Sequence, residues 1–161
     1  MEQKIKPRIL HNCKMFTYPL KLQPDDYGFV YQSTLDTLFK EIILYRDGRL
    51  CQVCGEKLSK KGKVKILNVS HLYSKSAINH QNMRYMIENG MVKCGHCHKF
   101  WWHKDPISAA DWYHANVDES RRLILDAEAM KPSVQMFGGD YEKIREYLLE
   151  EFEKIKNCQS L

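Results

Sequence analysis

The sequence predicts a small, mainly helical α+β domain held together by a metal site. The length of 161 residues is typical of one domain. A content of 43% hydrophobic and 28% charged residues is typical of a chain that folds around a compact core. Short apolar segments predict one strand and several helices, and two Cys-x2-Cys pairs, separated by 39 residues, predict the metal site.

Positive charge is concentrated in the first part of the chain. The formal net charge is +5, but residues 1–100 carry 17 basic and 8 acidic side chains, whereas residues 101–161 carry 8 basic and 12 acidic ones. A polyanionic partner would therefore dock on the first 100 residues.

The N-terminal residues 1–8, MEQKIKPR, have no apolar run behind their charges and do not resemble a secretory signal. No stretch approaches the ~18 to 20 consecutive apolar residues of a membrane span. We therefore expect a soluble protein in the cytoplasm, with no membrane partner. Thiols stay reduced there, so six cysteines indicate a metal site and not disulfides.

Four of the six cysteines form the two pairs, Cys51 with Cys54 and Cys94 with Cys97. A two-residue spacer lets both sulfurs of a pair reach one ion, and two pairs complete a tetrahedral zinc site. Four thiolates leave no open position, so this zinc would be structural, and catalysis would need other ligands. Chance pairs or a redox dithiol are the alternative. The other two cysteines, Cys13 and Cys158, are interpreted as isolated thiols.

We divide the chain into an N-terminal arm at residues 1–32, a core at 33–116 that contains both cysteine pairs, and a helical extension at 117–161. In the core, a helix capped by Ser33 and Thr34 leads to the first cysteine pair, and a strand is predicted over residues 64–72. Helices are predicted from residue 99, after Asp105, and over residues 118–130 and 141–155, the last with one apolar stripe. Residues 131–139 are the best candidate for a hinge.

His71, Asn89 and His98 occur in this order around the cysteine pairs. Asn89 lies five residues before Cys94, and His98 follows Cys97 directly. In this arrangement the chain resembles the HNH, or His-Me finger, nucleases. The resemblance implies a ββα-metal core that carries a four-cysteine zinc.

Further stretches are similar to the phage NinG (Rap) recombination nucleases. They are residues 35–48, LDTLFKEIILYRDG, leading into the first cysteine pair, residues 70–75, SHLYSK, and Arg84-Tyr85 before Asn89. The resemblance covers about residues 33–115. Recombination endonucleases of the endonuclease VII type, which cut branched DNA, are more distant relatives. The resemblance implies a phage endonuclease of DNA recombination or processing, acting in the host cytoplasm.

The resemblance also assigns roles to the three residues. His71 would be the general base that activates water, since an imidazole titrates near neutral pH. Asn89 would orient His71, and His98 would bind a catalytic Mg2+ or Mn2+. Many HNH nucleases have an aspartate ligand just before the first histidine, where this chain has Ser70, and a hydroxyl is a weaker ligand for a hard cation. Other candidates for the incomplete shell are Asn68, His96 and His103.

A basic cluster is expected to contact DNA phosphates, with binding that weakens as salt rises. Few side chains are suited to reading bases, so we expect structure-selective or weakly specific cleavage. The basic residues concerned are Lys57, Lys60, Lys61, Lys63, Lys65, Lys75, Arg84 and Lys99.

Two other functions remain open from the sequence. The missing aspartate is compatible with a non-catalytic, zinc-stabilised DNA-binding module. The acidic helix over residues 140–157 is compatible with an adaptor that binds a protein partner, and also with a homodimer.

Overall fold

A computed structural model describes residues 28–56, 67–74 and 80–158, and gives only the backbone for residues 28–33 and 67. The predicted α+β class is confirmed: these ranges are mainly helical, with one small sheet. None of their helices is long and apolar enough to cross a membrane. The main elements are α1 (Gly28–Arg46), β1 (Leu67–His71), β2 (Gly90–Cys94), α2 (Pro106–Asn116), α3 (Glu119–Ala129) and α4 (Tyr141–Cys158). Shorter elements are 3₁₀ turns at Gln81–Met83, Ile87–Asn89 and Met136–Gly139, and a π-helix at His96–Trp102.

Helix α1 is longer than the sequence predicts. It begins at Gly28, inside the predicted arm, and not at the Ser33-Thr34 cap. Residues 28–32, GFVYQ, contain no proline, so nothing prevents the helix from extending through them. It ends at Arg46, and Gly48 follows with a φ of +62°, a left-handed conformation that glycine adopts without steric cost. The rest of the predicted arm lies outside the described residues.

Strands β1 and β2 pair antiparallel, from Leu67 opposite Cys94 to His71 opposite Gly90. Side chains alternate between the two faces of a strand, so Val69 and Val92 share one face and Asn68 and Lys93 share the other. The two valines pack into the core formed with α1. Strand β1 ends at His71, one residue before the predicted end at residue 72, and residues 64–66 of the predicted strand lie outside the described part of the chain.

Helix α4 packs against α1 and belongs to the same hydrophobic core. Ile144 and Leu148 are buried there beside Leu38, Ile42 and Ile43. Each such fully buried side chain contributes about 1.5–3 kcal/mol of hydrophobic stabilisation. The apolar stripe predicted for this helix is therefore covered within the chain itself.

Helices α2 and α3 begin where the sequence predicts. Asp105 accepts a hydrogen bond from the Ser108 N–H at 3.1 Å, and Asp118 accepts one from the Ser120 N–H at 2.9 Å. Both aspartates thus satisfy backbone donors of a first helical turn. The two helices enclose a second core, formed by Met83, Met86, Tyr113, Val117 and Leu125.

Candidate metal centre and histidine sites

The four paired cysteines meet in one cluster. Their Sγ atoms all lie within 4.8 Å of one another, and those of Cys54 and Cys94 are 3.9 Å apart. A tetrahedral ion with zinc–sulfur bonds of ~2.3 Å would place its sulfurs about 3.8 Å apart. The donor set therefore fits one metal ion of this type. Cys158 is exposed on α4, and Cys13 lies outside the described residues.

Backbone hydrogen bonds build the cluster from the end of α1 and the end of β2. The Gly55 N–H donates to the Cys51 carbonyl at 2.8 Å and closes the first turn, with Gly55 at a φ of +74°. The Gln52 N–H donates to the Val92 carbonyl at 2.9 Å and ties this turn to β2. In the second pair, the Cys97 N–H donates to the Cys94 sulfur at 3.4 Å. The sulfurs are thus positioned by backbone contacts.

Burial raises the pKa of two of these thiols, whereas backbone hydrogen bonds outweigh burial at Cys51 and lower its pKa. Burial raises the pKa of Cys54 to about 11, and it raises the pKa of Cys97 further. Thiols with such pKa values are protonated at neutral pH, so binding of a cation would displace their protons. Four sulfur ligands would complete a tetrahedral shell, so the ion would stabilise the fold and leave no position for substrate.

His71, the last residue of β1, is held on two sides. Its Nε2–H donates a hydrogen bond to the Arg84 carbonyl at 2.8 Å. A carbonyl can only accept, so this bond assigns the proton to Nε2 and leaves the lone pair of the neutral imidazole on Nδ1. The Phe39 ring stacks on the imidazole, with centroids 5.2 Å apart and planes at 10°. The orientation of His71 is thus set by the loop before β2 and by α1.

Asn89 is fully buried directly before β2 and binds the chain that follows His71. Its Oδ1 accepts from the Tyr73 N–H at 2.7 Å, and its Nδ2 donates to the carbonyls of Tyr73 at 3.1 Å and of Met83 at 3.0 Å. The Leu72 N–H donates to the Asn89 carbonyl at 2.8 Å. The side chain of Asn89 therefore fixes the chain that follows His71. The resemblance assigned Asn89 the role of orienting this histidine.

Arg84 makes a forked ion pair with Asp36 of α1, at 3.2 Å from Nε and 2.7 Å from Nη2. Its guanidinium is thus paired within the protein, and its backbone carbonyl accepts the hydrogen bond from His71. Lys99 is exposed on the π-helix. The other predicted DNA contacts lie outside the described residues, namely Lys57, Lys60, Lys61, Lys63, Lys65 and Lys75.

His98 pairs with His103, and their Nε2 atoms are 3.2 Å apart. In an α-helix, with 3.6 residues per turn, residues five apart point about 140° from each other. The wider turn of the π-helix instead brings such residues close to one face. Burial, and then the charges of His103 and Lys93, lower the pKa of His98, which keeps its nitrogens available as ligands. His96 lies on the same segment, exposed and tilted against Phe100.

Polar groups also lie on the sheet face turned away from α1. Within the described ranges, Asn68 Nδ2, Ser70 Oγ, Lys93 Nζ and His98 Nδ1 are buried without a hydrogen-bond partner. The Lys93 Nζ lies 3.1 Å from the ring centroid of Trp102 in the π-helix, and burial lowers the pKa of Lys93 to about 6. Lys93 is not among the residues predicted from the sequence, although a lysine inside an otherwise apolar strand is a signal for it.

Two arginines bind the carbonyls that flank Asn89. Arg46 donates to the carbonyls of Ile87 at 2.6 Å and Gly90 at 2.7 Å. Arg121 donates to the carbonyls of Glu88 at 2.7 Å and Gly90 at 2.7 Å. Helices α1 and α3 therefore hold the start of β2 from two directions. Sequence analysis did not single out either arginine.

Comparisons with protein families, with curated proteins and with solved structures found no match for this chain. The functional conclusion therefore depends on the residues of the cysteine cluster and the histidine sites.

Proposed function

We propose that the chain is a metal-dependent DNA endonuclease of the HNH, or His-Me finger, class, with a structural zinc in the four-cysteine cluster. One arrangement carries the proposal. A two-stranded hairpin lies between the two cysteine pairs, its first strand ends at His71, and Asn89 at the start of its second strand anchors the chain after that histidine. The π-helix that carries His98 begins within the second pair, and this order of strand, strand and helix supports the proposal of a ββα-metal core.

His71 has the chemistry of the general base. With Nε2–H donating to a carbonyl, the lone pair on Nδ1 takes the proton of the attacking water. The carbonyl also stabilises the imidazolium that forms, and the Phe39 stack limits ring rotation. A base held in one orientation places its lone pair on the water more often than a freely rotating one.

His98 and His103 are the proposed ligands of the catalytic cation. Nitrogens 3.2 Å apart match two metal bonds of about 2.0–2.1 Å at an angle near 100°. Imidazole is typical of Zn2+, Cu2+, Fe2+ and Ni2+ sites, whereas Mn2+, like Mg2+, prefers oxygen ligands, so the pair does not select between Mg2+ and Mn2+. When bound, the cation supplies charge neutralisation on the phosphate and on the departing 3′ oxygen. Ser70 Oγ is a further oxygen on the same side of the sheet, whereas His71 lies on the side that faces α1, where it stacks on Phe39.

The proposed substrate is DNA, since the excess of basic residues lies in the first 100 residues. Branched DNA of phage recombination follows from the resemblance described above. A DNA cleavage assay in Mg2+ or Mn2+, with branched and linear duplexes side by side, tests both claims. We expect cleavage of the branched substrate, and equal cleavage of both would remove the selectivity claim.

A matched pair of histidine variants tests the role of His71. We expect His71→Ala to lose at least 100-fold in cleavage rate, the usual contribution of a general base. The control is His114→Ala, because His114 is exposed on α2. If wild type and His71→Ala bind DNA equally and neither cuts it with any divalent cation, the chain is instead the non-catalytic DNA-binding module.

The proposed ligand pair has its own test. His98→Ala and His103→Ala should each raise the Mn2+ concentration needed for half-maximal cleavage, and His96→Ala should not. Direct Mn2+ binding, followed by electron paramagnetic resonance without DNA, should weaken in the same two variants. Unchanged Mn2+ binding in both would exclude this pair as the site.

A further inference from the structure

The hydrogen-bond acceptor of His71 belongs to a residue that is itself anchored to α1. This acceptor is the backbone carbonyl of Arg84, 2.8 Å from the histidine Nε2. The side chain of Arg84 makes the forked ion pair with Asp36, at 3.2 Å from Nε and 2.7 Å from Nη2. Asp36 and His71 are therefore connected through the guanidinium and the carbonyl of one residue.

The fork restrains Arg84 more than a single contact would. Two N–H groups of the planar guanidinium bind the two oxygens of the Asp36 carboxylate, and such a bidentate pair fixes orientation as well as distance. The guanidinium carbon also lies 5.5 Å from the ring centroid of Tyr85, within the range of a cation–π contact. Because the Arg84 side chain is held on two sides, its backbone carbonyl is held as well.

The same face of α1 also restrains the imidazole ring. Phe39 lies three positions after Asp36, and residues three apart share one face of an α-helix. The Phe39 ring stacks on His71 at 5.2 Å between centroids and meets the Tyr85 ring edge-on at 6.3 Å. One face of α1 therefore holds both the imidazole and its acceptor.

We propose that Asp36 is a positioning residue for His71 and that it acts through Arg84. The inference rests on the proposed function, in which Nε2–H stays on the carbonyl so that Nδ1 can take the proton of the attacking water. Neither side chain of the ion pair touches the substrate in this role. It gives the Arg84 guanidinium a task within the protein, whereas the sequence predicted a phosphate contact.

Steady-state cleavage kinetics of Asp36 variants test this role. Asp36→Asn keeps the size of the side chain and removes its charge, so kcat should fall about 10- to 100-fold, the range found for residues that orient a ligand at metal sites. KM should stay close to that of wild type, because Asp36 does not touch the substrate. Asp36→Glu keeps a carboxylate and should recover most of kcat. The control is Glu41→Gln, which removes an ion pair elsewhere on α1, with Arg49 at 3.1 Å, and should leave kcat unchanged. A wild-type kcat in Asp36→Asn would overturn the proposal.

A double-mutant cycle tests whether Asp36 acts through Arg84. Arg84→Gln should lower kcat by about the same factor as Asp36→Asn, and the double variant should be no slower than either single variant. Losses that multiply in the double variant would refute the action through Arg84. Arg84→Gln should also leave the salt dependence of DNA affinity unchanged. A slope of log affinity against log salt that falls by about 0.9 would show a phosphate contact and contradict the positioning role.

NMR of the imidazole separates this inference from the proposed function. Wild type should show the Nε2–H proton of His71, because a hydrogen bond within the protein slows its exchange with water. This exchange should become at least 10-fold faster in Asp36→Asn and stay unchanged in Glu41→Gln. If the exchange behaves in this way but wild type does not cut DNA, the nuclease is wrong and Asp36 still orients His71. If wild type cuts DNA while Asp36→Asn leaves both the exchange and kcat unchanged, the positioning role is wrong and the nuclease stands.

Discussion

The side-chain amide of Asn89 bonds both backbone groups of Tyr73, accepting from its N–H at 2.7 Å and donating to its carbonyl at 3.1 Å. One side chain thereby acts as a strand partner for the residue two positions after His71. A third bond, to the Met83 carbonyl, ties the 3₁₀ turn to the same point. The loop between the strands therefore closes on a single buried amide.

Replacing Asn89 should destabilise the fold more than replacing an asparagine with one such bond. Asn89→Ala removes three hydrogen bonds and leaves buried backbone groups unpaired, for an expected loss of about 3 kcal/mol in the free energy of unfolding. The control is Asn116→Ala, which removes one bond, to the Trp112 carbonyl, for about 1 kcal/mol. Urea unfolding measures both, and equal costs would refute the closing role of Asn89.

Arg121 should be a stabilising residue of α3. Burial lowers its pKa to about 10, so the guanidinium remains charged at neutral pH. Arg121→Met removes the donor to the Glu88 carbonyl and leaves the Gly90 carbonyl with Arg46 as its donor, and we expect a loss of about 1–3 kcal/mol. Arg145→Met on α4, which removes only a distant ion pair at 3.9 Å to Glu142, should change stability by less than about 0.5 kcal/mol. Thermal unfolding of the two variants compares them directly.

Gly90 should not tolerate a methyl group. An added Cβ would lie 2.6 Å from Ile43 Cγ1 and 2.8 Å from Phe39 Cζ, both in the core. Gly90→Ala should therefore cost about 1–3 kcal/mol through overpacking, and it should disturb the Phe39 ring that stacks on His71. Gly48→Ala is the informative comparison, because its Cβ meets no atom within 4 Å and only its left-handed φ opposes the change. The NMR signals of His71 should shift in the first variant only.

Metal content should depend on the four clustered cysteines alone. We expect about one zinc ion per chain after expression, and Cys97→Ser should lose most of it and unfold at a lower temperature. Cys158→Ser should keep both the zinc and the stability of wild type, because Cys158 is exposed. Mass spectrometry of metals measures the content. Full zinc in Cys97→Ser would show that the ion binds elsewhere.

Local signals carried the successful part of the sequence analysis. Asp105 and Asp118 act as helix caps through contacts within three residues, so sequence alone predicts them. The metal cluster of the two cysteine pairs could also be predicted, since each two-residue spacer restricts where the two sulfurs of a pair can lie. Strand β1 was located by its apolar pattern, although its predicted start lies outside the described residues.

Contacts between distant segments of the chain could not be predicted from the sequence. The ion pair of Asp36 with Arg84 joins residues 48 positions apart, and nothing local distinguishes it from two surface charges. The burial of Lys93 depends on Trp102 covering it from another element. The pairing of His98 with His103 depends on a π-helix, and a prediction based on an α-helical period would separate them.

The position of the cysteine cluster along the chain has a consequence for folding. Cys54 and Cys94 are 40 positions apart, and both strands of the sheet lie in this segment, with Cys94 as the last residue of β2. An ion that joins the pairs closes this loop in the unfolded chain, and a cross-link over such a length removes conformational entropy equivalent to about 4 kcal/mol. Removing the ion with a chelator would therefore make the encounter of β1 with β2 less frequent in the unfolded chain. Refolding of the hairpin should slow markedly when the ion is withheld.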